Sequence, residues 1–224
     1  MNFPLYYPED PIGDRMSLIS LLMWGIQNQG LTAYDEDIAS GDEFATVMTV
    51  KDIEDKFGAK DQVIMVENVE DPEGPMIEKT IEGQIYYKEV KQLLVKEVWF
   101  FDKQRSVMEV RIVGLCPVRV YAKESDDPDA EEEQTMKKKL FWVYFPEARK
   151  ILANHKVFNP KNDAQDYSFD DLFFKRMFSS FIIQESNAYN NRMISDYTVG
   201  LESMLEAERI KESIFNYEQD LWEY

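Results

Sequence analysis

The stretch LLVKEVWFFDKQRSVMEVRIVGLCPVRVY, residues 93–121, decides the fold predicted for this chain. It holds two runs rich in β-branched and aromatic residues, 93–102 and 106–121, which are typical of β-strands. The polar tripeptide KQR between them is a short connection of the kind that joins antiparallel strands. The stretch therefore predicts a long β-hairpin within an antiparallel sheet.

Helical signals lie on both sides of this hairpin. Apolar residues recur at helical spacing over 16–26, after Asp14, which can cap a helix. Thr49 with Asp52, and Ser168 with Asp171, form capping-box pairs that predict two further helix starts, the second for a helix over FDDLFFKRMFSSFII, residues 169–183. We therefore expect an α+β fold, with a central antiparallel sheet and helices at both ends, in a single domain spanning residues 1–224.

Two polar segments are predicted as loops. Residues 70–83, EDPEGPMIEKTIEG, are rich in proline, glycine and charge. Residues 123–139, KESDDPDAEEEQTMKKK, form a charge run between two predicted strands, which favours a long hairpin loop.

Composition narrows the function classes. The chain has 25 basic and 43 acidic residues, a formal net charge of −18. This excess repels phosphate backbones and anionic membrane surfaces, so we expect neither nucleic-acid nor membrane-surface binding. No apolar run reaches the roughly 20 residues that span a bilayer, so we expect no transmembrane segment. The acidity favours solubility and a basic protein partner.

Cys116 and His155 are the only residues of their types, which raises the possibility of a catalytic pair. Strand alternation, however, places Cys116 on a face of small or apolar residues, where a buried thiol is inert. His155 follows a predicted helix, where an imidazole can cap terminal carbonyls. We expect a non-enzymatic protein, and keep a cysteine-dependent hydrolase using these two residues as the alternative.

Cofactor and metal signatures are not found in the sequence. It contains no glycine-rich phosphate-binding motif, and the acidic runs lack the pattern of a calcium loop. One cysteine and one histidine are too few for a typical zinc site. We predict no cofactor, no metal and no catalytic residue.

Aromatic residues make up 13% of the chain. The aromatic-rich runs carry more large apolar surface than one domain of this size needs to bury in its core. We therefore expect at least one protein interface. The predicted interface combines exposed N-terminal aromatics with one stripe of the last helix: Tyr6, Tyr7, Ile210, Ile214, Tyr217 and Leu221. The alternative is that this stripe packs on the protein's own sheet, the commoner fate of an amphipathic helix.

Several long segments resemble one family. They are PLYYPEDPIGDRMSLISLL, WFFDKQRSVMEVRIVGLCPVR, LFWVYFPEARKILANHKVFN, SFDDLFFKRMFSSFIIQESN and LEAERIKESIF. Together they resemble the GldN/PorN family of gliding-motility proteins, components of the type IX secretion machinery of Bacteroidetes, over nearly the whole chain.

The resemblance implies a structural, non-enzymatic protein of the periplasm, peripheral to the outer membrane. The implied partners are a GldK/PorK-type outer-membrane lipoprotein, with which it forms a ring, a GldM/PorM-type periplasmic shaft protein, and further copies of itself. It carries over no catalytic residue. It also implies an N-terminal signal peptide and a preceding segment, both of which we expect to be absent from the sequence as given.

Overall fold

The computed structural model describes residues 2–37, 42–58, 62–66, 77–81, 87–122, 135–159 and 166–221. The chain forms two compact units. The larger unit comprises Asn2–Glu97 and Ile112–Arg176, and the smaller unit comprises Val98–Arg111 and Met177–Tyr224.

Eight strands occur in the described part of the chain. They are β1 (Ala33–Asp37), β2 (Asp42–Val47), β3 (Gln62–Val66), β4 (Ile77–Ile81), β5 (Val90–Asp102), β6 (Val107–Ala122), β7 (Thr135–Lys139) and β8 (Trp142–Tyr144). Six of them form one sheet in the order β2-β1-β8-β6-β5, with β7 also paired to β6. Strands β3 and β4 form a separate antiparallel pair. The predicted α+β class, with a central antiparallel sheet that contains a long hairpin, is confirmed.

Six α-helices accompany these strands in the same described residues. They are α1 (Phe3–Tyr6), α2 (Leu18–Asn28), α3 (Val50–Phe57), α4 (Phe145–Asn154), α5 (Phe169–Phe174) and α6 (Leu201–Asp220). Both predicted capping boxes are present, at the starts of α3 and α5. Asp14 is not the cap of α2, because Ser17 accepts from the backbone N–H of Ser20 at 3.3 Å.

Three predicted boundaries were wrong. Residues 77–81 and 135–139, predicted as loop, form β4 and β7, whose partner strands satisfy their backbone groups. The rest of the second predicted loop, 123–134, lies outside the described residues. The helix expected to continue past Phe174 ends there, since Arg176 takes a left-handed backbone conformation (φ 50°) and pairs with Glu97 of β5 at 2.8 Å.

The sheet of the larger unit curls, and a glycine permits the close packing this requires. A Cβ added to Gly114 of β6 would lie 2.6 Å from the ring of Phe44 on β2. The same ring meets Trp142 edge to face, with centroids 6.2 Å apart. An ion pair between Lys96 of β5 and Glu43 of β2 joins strands from opposite ends of the sheet order.

The core of the larger unit is extensive. Fully buried side chains come from α2, β6, β8, α4 and α5 and from the segment before β8: Leu21, Leu22, Met23, Leu115, Leu140, Phe141, Val143, Leu152, Phe169, Leu172 and Phe173. Burying each aliphatic or aromatic side chain contributes about 1.5–3 kcal/mol. This unit therefore has its own large hydrophobic core.

The hydrophobic core of the smaller unit is much smaller. Its buried core cluster consists of Ile194, Ala207 and Ile210, with Ile182 and Ile214 packed partly against it. Ile210 and Ala207 come from α6, and Ile194 from a short 3-10 helix, Ile194–Asp196. The prediction that residues 1–224 form a single domain stays a prediction.

Candidate protein interface

Cys116 is fully buried in β6. Its Sγ donates a weak hydrogen bond to the carbonyl of Pro117 at 3.5 Å. Burial raises the pKa of the thiol to about 12. A thiol in this state is almost entirely protonated near neutral pH and is a poor nucleophile.

His155 lies at the C-terminal end of α4, as predicted. Its Nδ1 is 2.9 Å from the carbonyl oxygen of Ile151, the position of a C-terminal cap. Its ring packs edge to face against Trp24, with centroids 5.2 Å apart. These contacts account for the imidazole, and none of the contacts seen in the described residues joins it to Cys116.

The two N-terminal aromatics predicted as exposed are half-buried. Burial raises the pKa of Tyr6 above its ordinary value of 10.0. Tyr7 packs between Phe3 and Phe158, at centroid distances of 5.1 and 4.7 Å. They are thus less available than expected, and their role in an interface stays a prediction.

The predicted stripe on α6 divides between core and surface. Ile210 is buried and Ile214 packs partly against the same cluster, so these two support the smaller unit itself. Tyr217 is exposed, and Leu221 directly after the helix is half-exposed. Their assignment to an interface is likewise still a prediction.

A second apolar stripe lies on the outer side of α6. We call it the outer stripe, and its apolar members are Leu201, Met204, Leu205 and Phe215. Leu201 and Met204 are each 71% exposed, and Phe215 is 60% exposed. At 3.6 residues per turn these positions share one side of the helix, roughly opposite Ile210.

Exposed apolar residues are concentrated in the smaller unit. Among the described residues, most of the exposed large hydrophobic side chains belong to it: Val98, Trp99, Phe101, Met177, Phe181, Tyr189, Tyr197, Val199, Leu201, Met204, Leu205, Phe215 and Tyr217. Exposed apolar side chains that cluster on a folded protein often mark interaction sites. This concentration marks the smaller unit as the candidate interface.

A loop with several side-chain contacts of its own precedes the outer stripe. The guanidinium of Arg192 lies over both Tyr189 and Tyr197, at 4.8 and 4.4 Å from the ring centroids. The Asn191 side chain accepts from the Asn187 backbone N–H at 3.0 Å, which holds the loop in shape. Tyrosine and arginine are enriched among the residues that dominate binding energy in interfaces.

Metal sites and membrane-spanning helices were also sought in the part of the chain that the structure describes. No group of three or more His, Cys, Asp or Glu side chains there is placed to hold a metal ion. No helix of those residues is both long and apolar enough to cross a membrane. The predictions of no metal and no cofactor stay predictions.

A unit with a small core that carries most of the exposed large apolar side chains among the described residues is typical of a subunit of a protein assembly. Comparison with known families agrees with this class. The profile of the family described as "Gliding motility associated protein GldN" matches residues 1–223, and the chain belongs to that family. Members of this family are components of the gliding-motility and type IX secretion machinery. No curated protein matches the chain.

Sequence reasoning missed the outer stripe although the signal was present. Leu201, Met204 and Leu205 follow the i, i+3, i+4 spacing of one helix face. The stripe that contains Ile210 and Ile214 is the more continuous of the two, and the sequence pattern therefore favours it; its role in an interface stays a prediction. A helix with two apolar sides can bury only one in its own small unit, and the other then faces outward.

Proposed function

We propose that this chain is a non-enzymatic structural subunit of the type IX secretion and gliding-motility machinery. It works in the periplasm, peripheral to the outer membrane, and forms a ring with a GldK/PorK-type outer-membrane lipoprotein. The ring also contains further copies of this chain and meets a GldM/PorM-type shaft protein. Membership of the GldN family supports the assignment to the gliding-motility and type IX secretion machinery.

The observation that supports a binding role is that the smaller unit has few buried and many exposed apolar side chains. Its buried cluster of Ile194, Ala207 and Ile210 is flanked by many exposed apolar side chains. Removing apolar surface from water contributes about 25 cal/mol per Å², from which the costs of association are subtracted when a partner binds. A subunit whose task is assembly gains from such a surface, whereas a freely diffusing enzyme is at risk of aggregation.

The state of Cys116 supports a role without catalysis. The only cysteine is buried, and its thiol has a pKa raised to about 12. A cysteine nucleophile needs the opposite setting, partly open and beside a base.

Co-purification with the lipoprotein tests the proposal. The full chain and the purified GldK/PorK-type lipoprotein, each verified as folded by circular dichroism, are mixed and passed over a size-exclusion column. We expect a complex that elutes well ahead of either protein and contains both. Separate elution of two folded proteins across micromolar concentrations would contradict the proposal.

A further inference from the structure

The outer stripe of α6 has an acidic middle. Glu208 and Glu212 lie on the same side of the helix as Leu201, Met204 and Phe215, between its apolar ends. From position 201 to 215 the stripe is about 21 Å long, at 1.5 Å per residue. The surface is therefore apolar at both ends and negatively charged at its centre.

The basic residues of α6 cancel only part of this charge. Arg209 forms two hydrogen bonds with Glu206, at 2.8 and 2.6 Å, on another side of the helix. Lys211 pairs with Glu208 at 3.2 Å. Among the described residues Glu212 has no ion-pair partner, so the centre of the stripe keeps a negative charge.

This pattern disfavours a second copy of the chain as the occupant. Antiparallel pairing of two outer stripes about their middle places Glu208 opposite Glu208, and it places Glu212, which has no ion pair among the described residues, against the apolar Met204 of the other copy. Parallel pairing in register places both Glu208 and Glu212 opposite their own kind. Like charges brought together as an interface loses water cost binding free energy, which makes the stripe unfavourable for self-association.

We propose that the outer stripe of α6 docks an amphipathic helix of another protein. That helix has apolar side chains that contact Leu201, Met204, Leu205 and Phe215, and lysine or arginine at its centre that faces Glu208 and Glu212. Helix docking through anchors at i, i+3, i+4 and i+7 spacings is a common recognition mode. The inference rests on the proposed function in one respect, that the chain acts by binding other proteins.

A synthetic peptide provides the probe. It is a fluorescein-labelled helical peptide with leucines toward both ends of one face and lysines between them, and a Leu/Glu peptide of the same pattern is the control. Fluorescence anisotropy measures binding to the full chain. We expect the lysine peptide to bind and the glutamate peptide to bind about tenfold or more weakly, because the charges across the interface are then alike.

Variants then localise the binding. Met204→Asp should weaken binding of the lysine peptide by about tenfold or more. The double change Glu208→Lys with Glu212→Lys should weaken it by a similar factor. Asp14→Lys with Asp55→Lys is the matched control, since it changes the net charge equally on exposed positions of the larger unit. It should have little effect. Equal weakening by both double changes would mean that net charge alone attracts the peptide, and would overturn the inference.

Thiol footprinting gives a second measurement, because native Cys116 is buried. With the peptide bound, a thiol introduced by Leu205→Cys should be protected from labelling, whereas one introduced by Ser213→Cys, on the polar side of α6, should not. If instead the chain alone dimerises in analytical ultracentrifugation and Met204→Asp makes it monomeric, the occupant is a second copy and the inference fails.

The two proposals fail separately. Peptide binding at the outer stripe without lipoprotein co-elution would leave the inference and remove the proposed ring partner. Lipoprotein co-elution without peptide binding at the stripe would do the reverse.

Discussion

Burial determines the chemistry of Cys116. The residue lies in the one stretch of β6, residues 114–118, where side chains on both sides of the strand are buried. Desolvation disfavours the thiolate there, and the pKa rises to about 12. The rarity of the residue in the sequence therefore says nothing about reactivity.

We predict that Cys116 resists thiol reagents in the native protein. With a pKa of about 12, the thiolate fraction at pH 8 is on the order of 10⁻⁴, and burial also blocks access. Labelling by a chromogenic disulfide reagent should be slow in buffer and complete within minutes in denaturant. Rapid native labelling with a midpoint near neutral pH would instead favour the cysteine-dependent hydrolase.

Asp171 makes the start of α5 sensitive to pH. Its carboxylate accepts from the Ser168 backbone N–H at 3.1 Å and from the Ser168 hydroxyl at 2.9 Å. These hydrogen bonds, the backbone one first, hold the pKa of Asp171 below its ordinary value of 3.8. A lowered folded-state pKa means that the ionised carboxylate stabilises the fold above 3.8, and that this contribution is lost as pH falls through the lower folded value.

We therefore expect Asp171→Asn to lower the melting temperature at pH 7 and to lower it less as pH falls below 3.8. Differential scanning calorimetry between pH 7 and 3 measures the difference. Asp55→Asn, an exposed acid on α3, controls for the loss of one negative charge. A difference between Asp171→Asn and wild type that does not change with pH would contradict the assigned role.

Helix α6 has two apolar sides that differ in burial. Its inner side closes the small cluster with Ile194, and its outer stripe is exposed. Apolar residues follow helical spacing on both sides of α6, but only those on the inner side pack against other buried residues. A single helix therefore carries one stripe that supports the smaller unit and one that is exposed, to which we assign the proposed binding role.

Matched alanine changes separate the two sides. Ile210→Ala removes a buried side chain and should lower the free energy of unfolding by about 2–5 kcal/mol. Met204→Ala removes an exposed one and should change it by about 0.5 kcal/mol or less. Urea denaturation followed by circular dichroism at 222 nm measures both. A large loss in Met204→Ala would mean that the outer stripe is covered within the chain.

Across the chain, stability is unevenly distributed. The larger unit has a curled sheet with helices and many fully buried side chains, whereas the smaller unit has three buried residues in its cluster. Regions with few buried apolar contacts open at lower free energy than well-packed ones. The smaller unit is thus expected to gain most from a partner.

We predict that amides of α6 exchange with solvent faster than those of α2 and α4, by about tenfold or more. Hydrogen exchange followed by mass spectrometry gives the comparison. Binding of the lysine peptide or of the lipoprotein should slow exchange in α6 and leave α2 unchanged. Equal protection of all three helices in the free chain would show that the smaller unit is as stable as the larger.

Local sequence signals were sufficient wherever the determining contacts were local. The capping boxes at Thr49 and Ser168 and the β5–β6 hairpin depend on neighbouring residues, and each is found in the structure. Cys116 is buried as predicted, although both sides of β6 are buried there, so strand alternation alone does not account for it. The assumed end of the helix after Ser168 was wrong because Arg176 pairs with Glu97, 79 positions away in the chain. Strand β4 was missed because its pairing with β3 outweighs a polar composition.

The sequence by itself determined the class of fold, the family and the presence of an apolar surplus, because periodicity, capping chemistry and long motifs are properties of the linear chain. Only the tertiary structure decided where that surplus lies. Ile210 and Leu201 follow the same helical spacing and have similar hydrophobicity. Ile210 packs in the buried cluster with Ile194, whereas Leu201 stays exposed. Such contacts depend on how α6 and the segment before it fold against each other, which helical spacing alone does not show.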